Sequence, residues 1–68
     1  SRDELAEAAS ASAEAADVAG KLYDSGLADF LNVLDADRRR LLAEDELVVR
    51  QTETLINLVA VYKALGAG

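Results

Sequence analysis

Tyr23-Asp24-Ser25-Gly26-Leu27-Ala28-Asp29-Phe30-Leu31-Asn32-Val33-Leu34-Asp35-Ala36 decides the fold of this 68-residue chain. Before it lies a run rich in Ala and Glu, both good helix formers. After it, no Gly or Pro interrupts the sequence from Phe30 to Leu65. Gly26 is the natural stop between the two, because glycine takes the left-handed conformation that ends a helix without a Cβ penalty. Asp29 can then cap a second helix by accepting a bond from the amides that follow it. The stretch therefore predicts an all-α antiparallel helical hairpin in a single unit over 1–68, with a helix over about 2–24, a turn over 25–28 and a longer helix over about 29–65.

Working outward, Ser1-Arg2-Asp3-Glu4 reads as a capping box for the first helix. Leu5, Ala8, Ser12, Ala15, Ala19 and Leu22 recur at alternating spacings of three and four, a seam of small residues that lets a partner helix approach closely. Gly20 interrupts this helix at a cost of about 1 kcal/mol relative to Ala. It marks either a close backbone approach or a position that tolerates glycine. In the second helix Leu27, Leu34, Leu41, Val48, Leu55 and Tyr62 recur every seven residues, a coiled-coil repeat. The intermediate positions are Leu31, Arg38, Asp45, Thr52 and Val59, too polar for a clean two-stranded zipper. Leu34, Leu41, Val48, Leu55, Val59 and Tyr62 are the expected packing or oligomer seam. The extra apolar positions Leu42, Val49, Ile56 and Leu58 imply that this helix touches more than one neighbour.

Folding back about Gly26 and Leu27 sets Leu5 roughly opposite Val48. The second helix then runs on for about 15 residues, or about 20–25 Å at 1.5 Å per residue. That overhang carries Leu55, Ile56, Leu58, Val59, Val61, Tyr62 and Leu65. So much apolar surface is not expected on a monomer. The chain is expected to associate with copies of itself, as a dimer or helical bundle, or to pack on other parts of a longer protein.

Composition narrows the chemistry. The chain has no Cys and no His, which removes disulfides, imidazole and thiol catalysis and the usual zinc ligands. It has no Met, even at position 1, as expected of an excised piece or a mature product. No run of about 18 apolar residues is present to span a bilayer as a helix, and no signal-type segment occurs. A net charge of −6 opposes nucleic-acid binding. The one basic run, Arg38-Arg39-Arg40, is flanked by Asp35, Asp37, Glu44, Asp45 and Glu46 at spacings that let side chains pair on a helix. Asp24, Asp29 and Asp35 are carboxylates near the turn without a base, nucleophile pair or pocket, so no enzyme and no cofactor is expected. An acyl carrier, also small, acidic and helical, would carry its arm on Ser within Asp-Ser-Leu. Here Gly26 follows Asp24-Ser25, and a four-helix layout does not fit.

From Lys21 to Gly68 the chain resembles the C-terminal periplasmic helical hairpin of TolC-type outer-membrane efflux factors, including the lipoprotein channels of tripartite pumps. The resemblance rests on Tyr23-x-x-Gly26-Leu27, on Val33-Leu34-Asp35-Ala36 and on Tyr62-Lys63-Ala64-Leu65-Gly66, in that order and spacing. It implies a trimer in the parent protein, an outer-membrane location with this piece in the periplasm of a Gram-negative bacterium, and a membrane β-barrel and other helices outside this chain. It implies that Ser25, Gly26 and Leu27 meet a periplasmic adaptor protein. It further implies that Tyr23 and Asp35 help hold the tunnel entrance closed, with three copies of Asp35 forming an acidic ring that favours cations. Three departures accompany it. Ser25 stands where the family's turn has a Val-like residue, Asn32 is neutral where a second acidic ring would fall, and Ala28 cannot supply the basic partner of the tyrosine. The gate implied is one with fewer ionic ties. The competing expectation is a self-associating helical hairpin, an interaction module forming an antiparallel four-helix bundle.

Overall fold

A computed structural model describes residues 2–66. They form two helices, α1 (Arg2–Asp24) and α2 (Phe30–Gly66), packed against each other in an extended hairpin with principal dimensions of 64 × 16 × 13 Å. The fold is all-α, as the pattern of helix formers about Gly26 predicts. The capping box expected at Ser1 lies outside the described residues.

The turn is built by hydrogen bonds that close α1 and open α2. Leu27 N–H donates to the Leu22 carbonyl at 2.8 Å, and Gly26 N–H donates to the Tyr23 carbonyl at 3.0 Å. With Gly26 at φ +78°, this is a Schellman ending, in which the last carbonyls of a helix find donors beyond it. Ser25 adds to the closure: its N–H and its hydroxyl both donate to the Lys21 carbonyl, at 3.1 and 3.0 Å. Asp29 immediately precedes α2 as its cap. Asn32 N–H donates to Asp29 Oδ1 at 3.2 Å and to the Asp29 carbonyl at 3.1 Å, which satisfies an otherwise orphaned amide.

The contact between the helices is thin. On α1 the half-buried or buried side is Leu5, Ala9, Ser12, Ala13, Ala16 and Ala19. On α2 it is Val33, Ala36, Arg40, Ala43 and Leu47, with Asp37 and Glu44 beside it. Ala9, at 8% exposure, is the only buried side chain among the described residues. This corrects the expected α1 seam and places the α2 stripe of Leu34, Leu41 and Val48 outside the contact with α1. Ala8, Ala15 and Leu22 are exposed, and the α1 seam passes through Ala9 and Ala16 instead. On α2, Leu34, Leu41 and Val48 stand exposed, and the residue just before each of them (Val33, Arg40, Leu47) faces α1. Leu31, Arg38, Asp45, Thr52 and Val59 are likewise exposed. The physical reason is that α2 carries several apolar stripes, and the rigid turn, not stripe strength, sets which of them meets α1. The seam is made mostly of small residues, with Leu5, Val33, Arg40 and Leu47 half-buried among them, and most large apolar residues stand outside.

Ion pairs line the middle of α2. Arg39 Nε lies 2.9 Å from Asp35 Oδ2, and Arg40 reaches Asp37 and Glu44, each at 3.6 Å. Arg40 is partly sheltered along the seam, and its aliphatic stem supplies apolar cover while its head stays paired. Beyond Val48 every described residue of α2 is exposed, including Leu55, Ile56, Leu58, Val61, Tyr62 and Leu65. A helix of this length cannot rest on propensity alone, because most helical stability in proteins comes from packing an apolar face.

The two inner glycines act differently, which gives a direct test by thermal or chemical unfolding. A Cβ at Gly20 meets nothing within 4 Å, so Gly20→Ala is expected to stabilise by about 1 kcal/mol through helix propensity. Gly26 also has open space, yet its φ of +78° makes Gly26→Ala destabilising by about 1–2 kcal/mol. Equal effects of the two substitutions would contradict the left-handed turn.

Candidate functional site: the hairpin tip

The tip gathers most of the residues singled out in the sequence. Leu27 projects into solvent at 77% exposure, so the hydrophobic contact that often joins a Schellman turn to its helix is largely unused here. Ser25 is tied to Lys21 by its hydroxyl, and Gly26 presents bare backbone. These three residues form one small, rigid, solvent-facing knob. Its rigidity follows from the bonds that end α1 and the Asp29 cap that opens α2.

Tyr23 sits just below the knob. Its ring meets that of Phe30 across the turn, with centroids 5.4 Å apart and planes tilted by 57°. A tilted pair of this kind is worth about 0.5–1.5 kcal/mol beyond simple burial. Phe30 has no role in the sequence reading. The signal available for it was symmetry about the turn, since Tyr23 and Phe30 lie equally far from the centre of Gly26-Leu27. Both rings stay largely exposed and close the mouth of the hairpin only in part.

Asp35 lies about one turn and a half beyond Phe30 along α2, on an exposed strip with Arg39, Glu46, Arg50 and Glu53 that flanks the seam with α1. Its carboxylate is engaged by Arg39 at 2.9 Å, and both side chains are well exposed. The structure thus brings Ser25, Gly26, Leu27, Tyr23 and Phe30 together and leaves Asp35 apart, already paired. Asn32 contributes its backbone N–H to the Asp29 cap, and Ala28 is half-buried beside the turn. Leu34, Leu41, Val48, Leu55, Val59 and Tyr62 form an exposed band along α2 and take no part in the tip.

No group of His, Cys, Asp and Glu among the described residues is placed to hold a metal ion. Neither described helix is long and apolar enough to cross a membrane. The tip presents backbone, one hydroxyl and one leucine on a turn closed by hydrogen bonds. Comparison with protein families, with characterised proteins and with solved structures finds no match.

The tip contacts predict unequal sensitivities. Phe30→Ala removes the ring pair and is expected to lower unfolding free energy by about 1 kcal/mol. Asp35→Asn breaks only an exposed i,i+4 ion pair and is expected to cost no more than about 0.5 kcal/mol, less still at high salt. Unfolding curves of the two variants at low and high ionic strength provide the check. A larger, salt-insensitive loss for Asp35→Asn would contradict the exposed pairing.

Proposed function

We propose that this hairpin is a periplasmic tunnel-entrance segment of a trimeric outer-membrane efflux channel of the TolC type, exporting drugs, metals or other small molecules. Its turn, Ser25-Gly26-Leu27, docks the periplasmic adaptor, and its chemistry is conduction and assembly without catalysis. The observation that carries this reading is the tip. A Schellman turn at the end of a long helical pair holds Leu27 out in solvent, as a docking knob requires.

Two further observations support it. A tunnel wall needs each helix to contact neighbours on two sides. Beside its seam with α2, α1 carries a second stripe, Ala8, Ala11, Ala15, Val18 and Leu22, which is exposed. Beside its seam with α1, α2 carries the exposed band of Leu34, Leu41 and Val48. In a trimer these stripes would meet other hairpins. At the entrance, Tyr23 and Asp35 are the gate residues of this reading, with Phe30 behind Tyr23. Because Arg39 pairs with Asp35, three copies would carry a weaker acidic ring than bare carboxylates, and packing of the tyrosine would do more of the closing.

A second reading, a self-associating helical hairpin module, is favoured by one specific observation. Ala9 is the only buried side chain among the described residues, while large apolar residues from Leu31 to Leu65 stand exposed along α2. Self-association satisfies that surface without any channel.

The channel reading is tested in the longer protein that carries this hairpin, reconstituted in a planar bilayer. Small, cation-selective openings are expected, with larger or less selective openings for Tyr23→Ala combined with Asp35→Ala. In cells, Leu27→Asp is expected to abolish most adaptor-dependent export at unchanged protein level. A longer protein that never conducts, or full export by Leu27→Asp, contradicts this reading; the former result favours the module.

A further inference from the structure

We draw no further inference here: the strongest candidate, the exposed apolar side of α2 opposite its seam with α1 (Leu31, Leu34, Leu42 and Val49, with Arg38 and Asp45 among them), is an unpartnered helix face, and nothing in the structure shows what covers it.

Discussion

Everything in this hairpin hangs on the left-handed conformation of Gly26. With φ at +78°, it lets Leu27 N–H reach back to the Leu22 carbonyl, and this one closure sets the angle at which α2 departs. Asp29 then fixes the first turn of α2 through Asn32. Because side chains turn by about 100° per residue on a helix, a turn one residue longer would rotate α2 and bring a different stripe against α1. The choice of Val33, Arg40 and Leu47 over Leu34, Leu41 and Val48 is thus a consequence of the turn.

That choice has an energetic consequence. Setting Val33, Ala36, Arg40, Ala43 and Leu47 against a side of α1 made mostly of alanine gives close approach but little burial, and Ala9 is the only side chain among the described residues that leaves water almost entirely. Hydrophobic stabilisation scales with apolar area removed from water, so a seam of this kind supplies little of it. Small domains of this size are marginal even with a full core. The larger side chains are kept in reserve on the outside of α2, where only another helix can use them. Both functional readings, a tunnel wall and a self-associating module, draw on that same reserve, and the exposed tip favours the first.

The sequence made the helices, the glycine stop, the Asp29 cap and the uncovered length of α2 legible, because each rests on a local and specific signal. The azimuth of α2 about its own axis was not legible. Heptad spacing picks out Leu34, Leu41 and Val48 correctly as one stripe, yet α2 also carries Leu31, Leu42, Val49 and Ile56 on another, and spacing does not say which stripe faces α1. On α1, an alanine at position 8 looks the same as one at position 9. At the tip, Gly26 and Leu27 were readable from turn chemistry, whereas Phe30 emerged only once the turn brought it to Tyr23. The engagement of Asp35 by Arg39 was present in the spacing of four but carried no weight until its geometry was seen.

The central claim is that this hairpin draws its stability from contacts outside itself. Circular dichroism of the 68-residue chain as a function of its own concentration tests that claim most directly. The account predicts helicity and melting temperature that rise together with concentration, as mass action requires when folding is coupled to association. High helicity and a melting temperature independent of concentration, in a chain of monomeric mass, would contradict it.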